Sequence, residues 1–590
     1  MTRLKSSILF YVTICLSIVH LTFGKTTNYH VISLIDNAKT AMAVVVDDKP
    51  YSLHVTPESA LLHIGSAPKA KKGYYYAIIK RDQVQNETMV LLEHEPFVRS
   101  LPAGGNTTPN EFYNRSRNSF DITPIPKVLD PLPFIDRIKS KLHQPGQIAT
   151  IHIVGPQDQI DHMHKKSKKD IQVMTNVTYI SLNDVQTFTG VEFEISGRFS
   201  REAAKSSYNL KIPKKQNLYG YRRLKLRSMA TDPSYVREDL GYKMLAAAGV
   251  PTTYSSFVRV FINNEPIGLF GFIENFKNPW LRNEFANGNK DGYDQGHLYQ
   301  GKFTNAKAKF LGNRVSDLSY EGPKEWKYDL GQYKIKEDPS QGQPSYQPLI
   351  ALTKFISEAP NNGTEAAMHE WNQHFDMESV LRGMALEMVL GFGDGIMAMS
   401  DNYYLYQESS TSERFIFILS DVDISFGSNN LIKRELINTG DWHQFAGDIT
   451  KRPLMGKVLA VPEFKQRFDD LIKYLGNCLL NPDTLSRTID DTVAMISEDV
   501  AWDKSCERVT KAAVISQVNL AVFAKVFGLL KGYAVDDSTV RDFRKRSKKD
   551  IPLQKAINGP TGYKSLMGLK EYITVKHNNI ATYYGGSQQQ

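Results

Sequence analysis

The chain has 590 residues, of which 41% are hydrophobic and 23% are charged. These proportions are typical of globular domains, so they exclude a disordered or collagen-like chain. The net charge is +9, and the 72 basic residues are scattered along the sequence. Nucleic-acid-binding proteins concentrate such charge on one face, so the sequence predicts no nucleic-acid partner.

The first 24 residues have the pattern of a signal peptide. Two basic residues precede an apolar run at 8–19, and Thr22 and Gly24 form a small-residue cleavage site. We therefore expect a mature protein that is soluble in the secretory pathway or outside the cell. The apolar run is too short for a comfortable transmembrane helix. The polar C-terminus lacks a GPI signal, so we expect neither a transmembrane nor a GPI anchor.

Two further features agree with an oxidising compartment. Cleavage after residue 24 would leave two cysteines, Cys478 and Cys506, which could form one disulfide or remain two buried thiols. We take the disulfide as the prediction. Five asparagines stand in glycosylation sequons: Asn86, Asn106, Asn114, Asn176 and Asn362.

Residue patterns divide the mature chain into regions. Short alternating apolar runs predict a small all-β, sandwich-like domain over residues 25–100. A Pro- and Asn-rich linker follows at 101–140. Residues 141–560 mix strand and helix patterns and contain a Gly-, Lys- and Asn-rich insertion at about 285–345, and 561–590 form a C-terminal tail. The predicted fold class is α+β, with a β-rich lobe followed by a helical lobe.

The candidate catalytic and metal-binding residues lie in an acidic cluster between residues 391 and 427. Asp394 is followed eight residues later by Asn402, and Asp421-Val422-Asp423 ends the apolar strand pattern at 414–419. Such a set can supply a carboxylate that accepts a hydroxyl proton, together with oxygen ligands that hold Mg²⁺ against phosphates. The alternative is a loop in which Asp and Asn form turns.

Four segments resemble the CotH family, spore coat protein H and its relatives, which is an atypical branch of the protein kinase-like fold. They occur in the family's order between about residues 190 and 430: 197–200 with 205–208, 224–237 with 248–251, 258–274, and the acidic cluster. The resemblance is sharpest toward the surface proteins and invasins of mucoralean fungi. Their junction after a small β domain is similar to residues 95–115. The resemblance thus implies a bilobal atypical protein kinase-like domain behind the β domain.

The resemblance implies ATP and Mg²⁺ (or Mn²⁺) as cofactors and a role for each site residue. Asp394 looks like the catalytic Asp, and Asn402, Asp421 and Asp423 look like metal ligands. The implied nucleotide-binding residues are Lys205, Gly197, Arg237 and Glu274. For Arg237 and Glu274 a structural ion pair is the alternative, and Lys225 is read as a solvated strand lysine. The turn at 197–200 has one glycine, and Asp-Val-Asp stands where ordinary kinases have Asp-Phe-Gly.

Three functions follow as hypotheses. The first is a secreted Ser/Thr protein kinase whose partners are protein substrates of the spore coat or cell wall. The second is a catalytically inactive adhesin, invasin-like, that binds a host surface receptor or a wall partner. The third is a structural coat protein. The presence of Asp394, Asn402, Asp421 and Lys205 together favours the kinase.

Overall fold

A computed structural model describes residues 26–84, 89–101, 104–197, 201–312, 314–510 and 533–586. The chain divides into two compact units, Met1–Ser116 and Arg117–Gln590. Within the described ranges, no helix has the length and apolarity needed to cross a membrane. The predicted signal peptide and the sequon at Asn86 lie outside the described residues. The other four sequon asparagines are exposed.

The first unit consists of two four-stranded sheets. Their strand orders are β4-β5-β1-β8 and β3-β2-β6-β7. The strands are β1 (Thr26–Ile32), β2 (Thr40–Val46), β3 (Lys49–Ser52), β4 (His54–Thr56), β5 (Ser59–Pro68), β6 (Tyr74–Lys80), β7 (Leu91–His94) and β8 (Thr107–Phe112). Apolar side chains of both sheets share one buried cluster, which includes Tyr29, Val44 and Tyr76.

The first unit extends beyond its expected boundary at residue 100. Strand β8 pairs with β1 in parallel, with His30 opposite Asn110. Arg99 is buried and ion-paired to Glu95 at 2.6 Å and to Glu111 at 3.3 Å. The first part of the segment predicted as linker therefore belongs to this unit, because its side chains complete the sheet and a buried ionic cluster.

The second unit contains a closed seven-stranded barrel with the order β10-β11-β12-β13-β15-β14-β9. Its elements are β9 (Ala149–Val154), α1 (Gln157–Lys165), β10 (Gln172–Ile180), β11 (Val185–Ser196), β12 (Ser207–Lys211), β13 (Arg223–Arg227), α2 (Arg237–Ala247), β14 (Ser255–Ile262) and β15 (Glu265–Glu274). The strands are rich in β-branched and aromatic residues, and these side chains form the barrel core.

A four-stranded sheet and a helical region follow. The sheet has the order β17-β16-β18-β19. The elements are α3 (Trp280–Phe285), β16 (Leu298–Gly301), α4 (Ala306–Phe310), β17 (Tyr333–Glu337), α5 (Gln347–Glu358), α6 (Glu365–His374), α7 (Met377–Leu390), α8 (Ile396–Met399), β18 (Tyr403–Gln407), β19 (Phe415–Leu419), α9 (Arg434–Asn438), α10 (Pro453–Val458), α11 (Pro462–Cys478), α12 (Pro482–Ser505), α13 (Asp537–Arg546), α14 (Leu553–Asn558) and α15 (Leu569–Gly586).

The four-stranded sheet lies between two cores because its side chains alternate. On β18, Tyr404 and Tyr406 belong to the cluster of the barrel. Tyr403 and Leu405 belong instead to the cluster formed with the helices. Since successive strand residues face opposite sides, the sheet joins the barrel to the helical region, and the ends of its strands carry the acidic cluster.

The predicted insertion at 285–345 is part of this sheet. It supplies β16 and β17, and β16 pairs with β18 so that Leu298 lies opposite Tyr406. The segment reads as an insertion because its composition is polar and rich in glycine. Its strands are short, and their partner lies about a hundred residues later in the chain.

The predicted disulfide is wrong, since Cys478 and Cys506 are both free. Cys478 ends α11 and Cys506 follows α12, whose 24 residues separate the two ends. A helix of that length rises about 36 Å, whereas bridged cysteines need Cα atoms within about 7 Å. Cys506 is buried, and its thiol donates a hydrogen bond to the carbonyl oxygen of Trp502.

Candidate active site

The loop between α7 and β18 brings Asp394 to Asn402. Helix α7 ends at Gly391, whose φ of 61° lies in the left-handed region that glycine adopts at helix ends. The Nδ2 of Asn402 donates to Asp394 Oδ2 at 2.9 Å and to the Asp394 carbonyl oxygen at 3.1 Å. Because nitrogen makes both bonds, the amide oxygen of Asn402 is the atom that a cation would meet.

Asp421 lies beside this loop, at the end of β19. The Ser420 amide donates to the carbonyl oxygen of Asn402 at 3.0 Å, which joins the two strand ends. The Asp421 amide donates to the hydroxyl of Tyr242 on α2 at 3.1 Å. Asn402 and Asp421 both have positive φ, 54° and 60°. Such backbone is uncommon for residues with a side chain and is concentrated at functional sites.

Arg227 at the end of β13 holds the carboxylates of the site together. It is ion-paired to Asp421, to Glu238 on α2 at 2.7 Å, and to Asp423 at 3.5 Å. Burial opposes its charge, yet the three acids keep the pKa of Arg227 well above its ordinary value. Burial and the nearby Asp421 raise the pKa of Asp423 to about 7, although Arg227 opposes this. The three acids outnumber the two cations that compensate them, Arg227 and Lys225, which favours a further cation.

The donor set fits a magnesium ion that is shared with a substrate. Across the described ranges, no group of three or more His, Cys, Asp or Glu side chains could hold a metal alone. Mg²⁺ takes oxygen ligands, and in nucleotide sites it is held by about one or two carboxylates plus phosphate oxygens and water. Asn402 and Asp421 provide the protein share of such a set.

A cavity of about 670 Å³ opens beside these residues. Asn402, Asp421 and Tyr242 line it, and so do Gly197 and Glu274 from the predicted set. Asp394 is half-buried behind Asn402 and does not line the cavity. Asn402 and Asp421 therefore face the space, whereas the third metal-ligand candidate, Asp423, is absent from its wall. Asp394 adjoins the wall by its hydrogen bond to Asn402.

The cavity wall is strongly basic. Its cationic residues are Lys168, Arg201, Lys225, Lys277, Lys302, Lys334 and Lys336, against the acids Asp170, Glu194, Glu274 and Asp421. Burial and the neighbouring lysines lower the pKa of Lys336 well below its ordinary value. Lysines that repel one another in a cavity are stabilised by an anion, and a polyphosphate has the required charge.

Two of these lysines are functional candidates that the sequence analysis missed. Lys334 and Lys336 alternate on β17, within the segment interpreted as an insertion. The alternation Tyr-Lys-Ile-Lys-Glu is a strand pattern and was the available signal. Lys225 was read as solvated but lines the cavity, and burial together with Arg227 lowers its pKa.

Lys205 does not lie where its predicted role requires. Its Nζ is buried, 2.6 Å from Asp503 on α12, and also donates to the carbonyl oxygen of Leu269. Asp503 also accepts from the hydroxyl of Tyr235 at 2.7 Å and from Arg508 at 3.2 Å. Lys205 is absent from the cavity wall. The phosphate role came from the family resemblance alone, and the ion-pair partner of Lys205 lies 298 residues away, where no local pattern could indicate it.

Arg237 and Glu274 follow the structural alternative stated for them. Arg237 is fully buried and ion-paired to Asp232 at 2.6 Å. Glu274 is buried against Arg137, and although burial opposes it, that guanidinium lowers the pKa of Glu274 to about 2. Glu274 reaches the cavity wall where β15 ends, but its carboxylate is engaged by Arg137 and by the Tyr254 amide at 2.7 Å.

Comparisons with known proteins identify the family of this chain. Residues 193–533 match the family model described as CotH kinase protein. Invasin CotH2 of Rhizopus delemar is 25% identical over 416 residues, which cover 70% of this chain and 67% of that protein. Spore coat protein homolog 1 of the same fungus is 24% identical over 479 residues, or 80% of this chain and 74% of that protein.

Proposed function

The chain belongs to the CotH kinase protein family, and from this premise we propose that it is an atypical Ser/Thr protein kinase. The reaction transfers the γ-phosphate of ATP, with Mg²⁺, to hydroxyls of spore-coat or cell-wall proteins. One observation carries the proposal: a lysine-rich cavity has Asn402 and Asp421 on its wall, and Asp394 is hydrogen-bonded to Asn402. This arrangement supports the proposal because cationic charge and oxygen donors share one cavity wall, and the proposed base is hydrogen-bonded to one of those donors.

The residues have distinct tasks in this reaction. Lys225, Lys334 and Lys336 would bind and orient the phosphates, and the carboxylate of Asp421 with the amide oxygen of Asn402 would hold the metal. The metal, when bound, neutralises charge on the phosphate oxygens. Asp394 takes the proton of the substrate hydroxyl as that oxygen bonds to the γ-phosphorus. The bond from phosphorus to the bridging oxygen breaks, and ADP leaves with the electron pair.

Arg227 has to release Asp421 for this chemistry. The guanidinium of Arg227 is ion-paired to Asp421 in the structure. A metal bound to Asp421 would compete with it for the same carboxylate. Glu238 and Asp423 keep Arg227 charged and in place when that contact is lost. We therefore assign Asp423 a supporting role, as the partner of Arg227, beside the second-ligand role that the family resemblance implies.

The test is transfer of labelled γ-phosphate by the purified full chain to itself and to a Ser-rich protein acceptor. Asp394→Asn keeps the size of the side chain and removes the base, so transfer should fall by about 10²-fold or more. Asp441→Asn, in a half-buried turn elsewhere in the chain, is the matched control and should retain activity. Equal transfer by wild type and Asp394→Asn would contradict the proposal.

The second candidate is a surface adhesin without catalysis. It is favoured by the relatives, since Invasin CotH2 carries that role in its name, and by the engagement of Asp421 with Arg227. We place the protein on the secretory route or at the surface in either case. If no transfer is detected while the fold is intact, the adhesin becomes the leading hypothesis.

A further inference from the structure

Glu387 is a buried acid that the proposed reaction does not use. It lies in the last turn of α7, within a helix that is buried along nearly its whole length, and its side chain is fully buried. Its Oε1 accepts a hydrogen bond from the amide of Ala398 in α8 at 3.0 Å. Its Oε2 has no hydrogen-bond partner among the described residues. Burying a carboxyl group with one unpartnered oxygen costs free energy of folding.

The segment that Glu387 touches separates Asp394 from Asn402. Helix α8 is a single turn, closed by the Met399 amide to the Gly395 carbonyl at 2.8 Å and the Ser400 amide to the Ile396 carbonyl at 3.0 Å. One turn is too short to hold itself together in water. The distance between Asp394 and Asn402 therefore depends on contacts from outside the turn.

Two side chains contact α8 itself, and Ser316 and Tyr533 hold Ser400, which follows it. Glu387 accepts from the Ala398 amide, and Arg452 donates through Nε to the carbonyl oxygen of Met397 at 3.2 Å. The guanidinium of Arg452 lies over the ring of Tyr533, 3.5 Å from its centre. The two side chains thus hold the same peptide group of α8, Glu387 at its N–H and Arg452 at its carbonyl oxygen.

Gly395 shows how closely the carboxyl group approaches the loop. A Cβ added at Gly395 would lie 2.4 Å from the carboxyl carbon of Glu387 and 2.6 Å from both of its oxygens. The φ of Gly395 is −84°, which any residue can adopt. The glycine is required here by the carboxyl group and not by the backbone.

We propose that Glu387 is a positioning residue, whose buried carboxyl group fixes α8 and thereby sets Asp394 against Asn402. This inference rests on the proposed function, because that function gives Asp394 its catalytic role. The contact of Glu387 with α8 does not depend on it. Burial raises the pKa of Glu387 to about 8, against the opposing amides of α8 and Arg452. Near neutral pH the group is therefore a neutral acid, which glutamine can replace.

The test measures hydrogen exchange of the amides of residues 396–398 in the full chain, which requires neither nucleotide nor catalysis. Glu387→Ala should speed this exchange about tenfold, since it removes one buried hydrogen bond. Glu387→Gln keeps an acceptor oxygen at the same place and should remain within about twofold of wild type. Unchanged exchange in Glu387→Ala, or equal acceleration in Glu387→Gln, would overturn the proposal.

Two controls separate positioning from loss of stability. Glu284→Ala removes another buried acid, paired to Arg137, and should leave exchange at 396–398 unchanged. Gly395→Ala should speed that exchange by displacing the carboxyl group. The double variant Glu387→Ala/Gly395→Ala should be no faster than Glu387→Ala, because both changes break the same contact. If the two single changes instead accelerate exchange additively in the double variant, the proposal is wrong. The comparison remains valid even if Glu387→Ala is less stable than the wild type.

The kinase proposal can fail separately. If the wild type transfers no phosphate, the exchange results still decide whether Glu387 holds the loop. If the wild type is active, Glu387→Ala should lower kcat about tenfold or more and leave KM for ATP within about twofold, because the lysines of the cavity are untouched. A change confined to KM would contradict a role in placing Asp394.

Discussion

Lys205 and Lys225 differ in what surrounds their ammonium groups. Lys205 is buried against Asp503 and a carbonyl oxygen, whereas Lys225 lies on the cavity wall close to Arg227. The first lysine has an anionic partner within the protein. The second has Arg227 as well as the acids Asp421, Glu238 and Asp423 near it, and its position on the cavity wall would let it contact a bound anion. Lys205, just before β12, and Lys225, on the neighbouring strand β13, should therefore have separate functions.

Substitution of each lysine by methionine distinguishes those functions. Lys205→Met leaves Asp503 buried without its main cation, so the free energy of unfolding should fall by about 3–5 kcal/mol. Its affinity for ATP should be unchanged while the protein is folded. Lys225→Met should keep the unfolding free energy within about 1 kcal/mol and weaken ATP binding about tenfold or more. Urea unfolding and calorimetric titration measure both quantities, and the reverse pattern would show that the assignment is wrong.

Strand β17 contributes to the site as an element. It pairs with β16, where Lys334 lies opposite Gln300, and its alternation places two lysines at the cavity. Helix α2 acts on the other wall, because Tyr242 binds the Asp421 amide and Gly241 packs against Val422. Strand β17 therefore supplies cations to one wall of the cavity, and α2 fixes the loop of Asp421 at the other.

The charge of β17 should control polyphosphate binding. Lys334→Gln/Lys336→Gln should weaken ATP binding about tenfold and reduce its dependence on salt, since two cations near the phosphates are lost. AMP, with one phosphate, should be affected less. Lys324→Gln, in an exposed turn of the same segment, is the control and should bind as wild type does. Equal effects on ATP and AMP would contradict contact between β17 and the phosphates.

At the scale of the whole molecule, the two units have separate cores. Each should therefore unfold as its own cooperative transition. In the first unit, His63 is 1% exposed and burial lowers its pKa to about 4. The unfolded chain binds a proton near pH 6.5, so the stability that neutral His63 provides is present above that pH and is lost as the pH falls toward 4.

Scanning calorimetry of the full chain can test this. We expect two transitions, and the one assigned to the first unit should lose about 2 kcal/mol between pH 7 and pH 5. His63→Gln should reduce that loss, and His54→Gln, at an exposed position of β4, should not. A pH dependence that is identical in the wild type and His63→Gln would contradict the role of His63.

How much the sequence predicts depends on the distance between partners along the chain. Asp394, Asn402 and Asp421 lie within 28 residues at strand and helix ends, so a local pattern was sufficient to find them. The pairing of Lys205 with Asp503 spans 298 residues, and no local pattern contains it. The lysines of β17 were missed for the same reason, because their sheet forms only when β16 meets β18.

The central claim is that Asn402 and Asp421 hold a metal against the phosphates of a nucleotide in the lysine-lined cavity. A crystal structure of the full chain with Mn²⁺ and a non-hydrolysable ATP analogue tests it directly. We predict an anomalous peak of manganese within about 2.5 Å of an Asp421 carboxylate oxygen and the Asn402 amide oxygen, with the γ-phosphate on the side of Asp394. Manganese bound elsewhere, with Arg227 still occupying Asp421 beside a bound analogue, would contradict the account.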